Sequence, residues 1–154
     1  MQDHDHVRLL AEVSETGQPR LEELPATRLG HDVYLVDGSP MFTYGCAAGD
    51  RIRVAEDGTF EVLERGGNLC LRVYPTEPLS EASVEALRHR IGDLDGLVET
   101  PGDRRFVVIT APVTAGFPDL QAVLDQWTEE HGGVWEYGNV YDEDNKPLDW
   151  WTGA

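Results

Sequence analysis

Several groups of residues in this chain have types and spacings that could do chemistry. Asp3-His4-Asp5-His6 alternates metal-ligand residue types, so both imidazoles would share one side of an extended strand. It lies at a chain end and no HExxH accompanies it, so it reads as a frayed terminus and no metal is assigned. Glu85 and His89 are four apart, with Arg88 and Arg90 flanking the imidazole; this is the pattern of a solvated helix face. His31 sits in a Gly-His-Asp turn, and His131 falls where a helix would end, a place that suits partial positive charge. Cys46 and Cys70 have no CxxC and no clustered histidine, so they read as two buried thiols rather than a zinc site or a disulfide framework. Ser39 lies in Gly-Ser-Pro and lacks the second glycine of a nucleophile elbow. Carboxylates are so abundant that no pair of them marks a glycosidase-like dyad. No catalytic residue and no cofactor are assigned, and the chain is not expected to be an enzyme.

The C-terminal stretch is the most distinctive. Asp142, Glu143, Asp144 and Asp149 outnumber the single Lys146 and run into Trp150 and Trp151. An aromatic anchor with an acidic rim resembles a protein-binding surface, and these six residues are the candidate partner site. The opposing reading is a tail strapped back on the core. Adjacent residues of an extended chain point opposite ways, so one tryptophan would pack while the other stays partly exposed.

The whole chain is acidic, with a formal charge of −17 over 154 residues. Such a field repels phosphate backbones and anionic lipid, which argues against nucleic acid and membrane surfaces and favours a basic protein as partner. The first residues hold no basic segment followed by an apolar one, and no run approaches transmembrane length, so a cytoplasmic location is expected. Arginine supplies every basic residue but Lys146, a usage that points to a GC-rich, bacterial source.

Those residues need elements to position them. Val7 to Val13 reads as a strand, Ser14 to Pro19 as a turn, and Val33 to Val36 as a strand ended by Asp37-Gly38. Ile52 and Val54 alternate with Arg51 and Arg53, and Glu56-Asp57-Gly58 returns the chain through Thr59 to Leu63. Short strands at this spacing predict a small barrel-like unit over residues 1–66. Within it Ser39 to Asp50 reads as a tight corner: Gly45 and Gly49 bracket small residues where backbone passes backbone, and Pro40-Met41-Phe42 is its apolar plug. The stretch lacks the lysine and hydroxyl of a phosphate loop.

From Gly66-Gly67 onward each element can be followed. Leu69, Leu71 and Val73 alternate with Cys70, Arg72 and Tyr74 and end at Pro75. Ser80 caps a helix with Leu79 and Val84 as a staple, and Val84, Leu87, Ile91 and Leu94 share its apolar face. Leu97 to Thr100 and Arg104 to Thr110 form a hairpin whose Phe106 to Ile109 run, apolar on both faces, is a central strand. A second helix starts near Pro118 and stops at Gly132-Gly133, and Val134 to Tyr137 is the last strand. The order is the ferredoxin-like βαββαβ arrangement over residues 67–141, giving an α+β chain of two packed units with an acidic tail, 142–154. The short glycine link implies a shared interface.

The stretches "LVDGSPMFTYGCAAGDRIRV", "DGTFEVLERGGNLCLRV" and "VWEYGNVYD" resemble a bacterial family described only as domain of unknown function 4265. The resemblance spans Val7 to Tyr141 and rests on Pro40, Phe42, Gly45, Ala47, Gly49 and Asp50 with Trp135 to Tyr137. It implies the fold and brings no catalytic residues, and the tail lies beyond it. The expected function is therefore a non-catalytic binding protein, immunity- or antitoxin-like, neutralising a basic partner. The alternative is a small-molecule sensor using the cleft between the units, since ligands favour domain interfaces. A third reading, an enzyme assembled from the two thiols and distant histidines, has no local signature.

Overall fold

A turn closed by the Ser14 hydroxyl, which accepts the Gln18 amide at 3.0 Å, folds strand β1 (Asp3–Val13) back on β2 (Pro19–Gly30). The computed structural model describes residues 3–152, with side chains from residue 5 on. Strands β3 (Val33–Val36), β4 (Arg51–Val54) and β5 (Phe60–Glu64) continue an antiparallel meander in the order β1-β2-β3-β4-β5. This sheet forms no closed barrel. Its two edge strands meet through the β4–β5 turn, where the Leu10 amide donates to Gly58 O at 2.8 Å, without forming a ladder. The barrel expectation came from short spacing alone, whereas β1 and β2 are long, and β2 runs through Pro25. Pro25 is tolerated because its carbonyl, and so its missing N–H, faces Asp37, where β3 has ended.

The second sheet is also antiparallel. Strands β6 (Asn68–Tyr74), β7 (Leu97–Glu99), β8 (Val107–Pro112) and β9 (Val134–Tyr137) lie in the order β7-β8-β6-β9. Helix α1 (Glu81–Gly92) starts at Ser80, whose Oγ accepts the Ser83 amide at 3.1 Å, and helix α2 (Phe117–His131) has Pro118 in its first turn. Both helices pack on one sheet face. Leu69, Leu71 and Val73 of β6 meet Val84, Leu87 and Ile91 of α1 and Leu120, Leu124 and Trp127 of α2.

The other face of that sheet meets the first unit. Cys70 of β6 and Val108 of β8 pack against Ala47, with Met41 and Phe106 alongside. The corner 37–50 is thus the seam between the sheets, and Phe42 does not plug it. Phe42 is half exposed, its ring 5.5 Å from Phe106. Close passage of backbone does occur here: a Cβ on Gly66 would lie 2.4 Å from the Gly49 carbonyl carbon.

Candidate functional site

Two charged clusters hold the seam. Loop 40–44 is clamped from both sides. On one side the Glu22 carboxylate of β2 accepts the amides of Met41, Phe42 and Thr43 at 2.6, 3.0 and 2.8 Å, and the Thr43 hydroxyl at 2.8 Å. On the other, Arg72 of β6, fully buried, donates through Nε to Pro40 O at 3.1 Å and through Nη2 to Thr43 O. Its Nη1 lies 3.6 Å from Glu136 Oε1, and the guanidinium sits 4.7 Å from the Tyr44 ring centroid. Glu136 of β9 in turn accepts the phenols of Tyr44 at 2.7 Å and Tyr74 at 2.8 Å. Burial, then the Glu136 carboxylate, raises the pKa of both phenols, so neither is a proton acceptor near neutral pH.

The second cluster is Asp50 with Arg65. Asp50 is fully buried and accepts the Gly66 amide at 2.8 Å and the Ala47 amide at 3.0 Å. Arg65 Nη1 lies 3.4 Å from Asp50 Oδ2, donates to Gly45 O at 2.8 Å, and its guanidinium lies 5.4 Å from the Trp150 ring. Burial pushes the Asp50 carboxyl above its ordinary range, while those amides and Arg65 pull it down. A carboxyl whose folded pKa is raised favours the folded state most when protonated. Its contribution is lost as pH rises from about 3.9, the unfolded value, through the folded value. Asp57, whose carboxylate accepts the Thr59 hydroxyl and amide, is shifted the opposite way. Carboxyl-carbon NMR is expected to find Asp50 titrating above Asp57; the reverse order would refute burial as the dominant cause.

The thiols are part of this seam, and among the described residues they form no disulfide. Both are fully buried. Desolvation raises Cys46 strongly and pushes Cys70 up to about 11. Neither is expected to react with an aromatic disulfide reagent at pH 8 until the chain is unfolded, when both should. A fast-reacting thiol in the native protein would contradict the packing.

Where the sheets diverge, a cleft of about 950 Å³ opens. Leu10, Phe60 and Val62 of the first sheet border one side, Tyr44, Gly45 and Arg65 the seam, and Trp135, Glu136 and Tyr137 of β9 the other side. The tail closes an end with Tyr141, Asp142, Glu143, Asn145 and Leu148.

The tail is folded back. The Asp142 amide donates to Lys146 O and the Leu148 amide to Val140 O, both at 2.8 Å, and Asp142 Oδ1 accepts the amides of Asp144 and Lys146. Trp150 Nε1 donates to Asn139 O at 2.9 Å, and the Trp151 ring lies 5.3 Å from Phe117. Both tryptophans are half-buried against the helical core, where an extended chain would have split them; a 3₁₀ turn at Trp150–Thr152 puts them on one side. Of the six candidate residues, Asp142 and Glu143 border the cleft, while Asp144 and Asp149 do not.

The other candidates stay apart. Glu85 bonds Arg88 at 2.5 Å instead of His89, and His31 pairs with Asp32 on the surface. His131 stacks on Trp127 with centroids 4.2 Å apart, its Nδ1 3.0 Å from Trp127 O. Ser39 is spent on Thr110 and the Ala48 amide. Asp5 bonds the His6 amide, His6 lies 4.0 Å from Glu23, and the side chains of Asp3 and His4 lie outside the described residues. No group of three ligand-type side chains and no helix long and apolar enough to cross a membrane occurs among the described residues.

Two antiparallel sheets sharing a buried polar seam, with two helices on the outer face of the second, define the class: a mixed α+β protein with an inter-sheet cleft. The chain belongs to the family described as Domain of unknown function (DUF4265), whose model matches residues 22–137. A crystal structure of a hypothetical protein from Neisseria gonorrhoeae is similar in fold at a TM-score of 0.66 and 15% identity, over 90% of this chain and 94% of that one. No curated protein matches the sequence.

Proposed function

We propose that this protein is a non-catalytic binding protein whose inter-sheet cleft receives a basic protein partner, in the manner of an immunity or antitoxin-like protein. The observation that carries the reading is the pairing pattern of charges in the cleft. Arg65 is neutralised by Asp50 and Glu136 by Arg72, whereas Asp142 and Glu143 are exposed and have no cationic partner among the described residues. In a chain of net charge −17 these acids favour a cationic ligand. Trp150 and Trp151 then serve to hold the acidic tail in place. The non-catalytic part of the proposal rests on groups already engaged: the thiols are buried, and Glu136 is held by two phenols and a guanidinium. Avoidance of nucleic acid belongs to the same reading and is supported by the charge; cytoplasmic residence is proposed with it.

The strand order β7-β8-β6-β9 with helices on one face supports reading the second unit as ferredoxin-like, and the contact of Leu10 with Gly58 supports a barrel-like curl in the first. The test of function is capture from the host's lysate at low and high salt. A stoichiometric basic partner, released by salt and lost with Asp142→Asn/Glu143→Gln, is expected; an empty capture would sink the proposal. The aromatic lining favours a second reading, a small-molecule sensor, and thermal shifts with a metabolite library but not with proteins would select it.

A further inference from the structure

Resting on that reading, we infer that the partner enters the cleft as an extended, lysine- or arginine-bearing segment that adds a strand to the outer edge of β9. Trp135, Glu136 and Tyr137 are consecutive, and all three border the cleft. Alternate side chains of a strand point to opposite faces, so three neighbours can border one cleft only along the strand's edge. β9 is the terminal strand of its sheet, bonded among the described residues to β6 alone.

The parity of its main-chain groups follows from one bond. The Gly138 amide donates to Cys70 O of β6 at 2.7 Å, so the alternate groups, those of Trp135 and Tyr137, point away from β6. No main-chain partner meets them among the described residues. The sheet's opposite edge is managed differently: β7 is three residues long and Arg88 Nε reaches its Val98 carbonyl at 3.3 Å. β9 carries no lysine or proline, and among the described residues no side chain bonds its main chain.

The occupant is fixed by what surrounds the edge. Leu10, Phe60 and Val62 offer an apolar wall for one set of alternate side chains. At the tail end, the Tyr137 and Tyr141 rings, with centroids 6.3 Å apart, stand beside Asp142 and Glu143. Aromatic faces next to unpaired carboxylates bind a cation with both the ring quadrupole and full charge. A strand bringing alternating apolar and basic residues satisfies the edge, the wall and the acids together; main-chain bonds supply affinity and side chains select.

The test titrates the isotopically labelled full chain with a pool of end-blocked heptapeptides. The pool has lysine at alternate positions and valine, isoleucine, threonine or tyrosine elsewhere. Amide shifts and slowed exchange at Trp135 and Tyr137 are expected, and Asp142→Asn/Glu143→Gln should weaken them about tenfold or more. Asparagine at 142 keeps the oxygen that accepts Asp144 and Lys146, so the turn survives. A matching pool with glutamate for lysine, and the lysine pool methylated on alternate amide nitrogens, should both fail to bind. Absence of shifts at Trp135 and Tyr137 with the lysine pool, or equal binding of the methylated pool, would overturn strand addition. If lysate capture succeeds while the pool fails, the docking mode falls and the basic-partner reading stands.

Discussion

Arg72→Met is expected to cost about 3–5 kcal/mol, read as a lower denaturant midpoint with unchanged slope. The side chain is fully buried and bonds two main-chain carbonyls, Pro40 O and Thr43 O, on a loop belonging to the other sheet. Methionine fills much of the volume but leaves Thr43 O without a donor and Pro40 O with the Cys70 thiol alone, at 3.6 Å. It also leaves Glu136 with two phenols and no cation. The loop would still be held by three amides on Glu22, so the variant should fold, with faster amide exchange over 40–44. Adding Glu136→Gln to Arg72→Met should recover part of the loss, because glutamine removes the stranded charge and keeps an acceptor for the phenols. A cost below about 1 kcal/mol would mean that the guanidinium behaves as an ordinary surface ion and that the seam is held elsewhere.

That residue also marks where sequence reading stops. β6, α1, the β7–β8 hairpin, α2 and β9 were legible because burial imposes periods of two and of 3.6 on their apolar positions. Ser80 and Gly132 supplied the helix ends. Arg72 alternates with Leu71 and Val73, so by the same rule it falls on a face that a lone sheet would expose. Its burial is caused by a loop 29 to 32 positions earlier, and no local pattern carries that information. Glu22 is one of 29 acidic residues, and only its partners, three amides and the Thr43 hydroxyl, distinguish it from the rest. The cleft draws on β1, the corner, β5, β9 and the tail, segments whose meeting is tertiary. The tail's acids and tryptophans were visible as a group, but the separation of Asp142 and Glu143 at the cleft from the core-facing rings was set by the 142–146 turn and the 3₁₀ turn after it. The barrel expectation failed for a related reason: strand count and spacing do not say whether the edge strands reach each other.

Gly66→Ala is expected to destabilise by more than about 2 kcal/mol, although it adds a single methyl group at a position in the ordinary range of φ. The methyl carbon would lie 2.4 Å from the Gly49 carbonyl carbon and 2.5 Å from its oxygen, and backbone cannot swing aside as a long side chain does. Gly49 is itself pinned: its φ of +95° favours glycine, its amide donates to Val36 O at 2.8 Å, and it precedes buried Asp50. Moving either segment to admit the methyl would also pull the Gly66 amide from Asp50, leaving a buried carboxylate short of a donor. Gly67→Ala is the informative neighbour. It has open space around its Cβ but a φ of +86°, so its penalty is the local backbone one, about 1–2 kcal/mol, with no clash against another segment. Denaturant unfolding of the two variants separates these causes. If Gly67→Ala cost as much as Gly66→Ala, the link between the sheets would be limited by backbone conformation, and the contact at Gly49 would not be what fixes the seam and holds the cleft open.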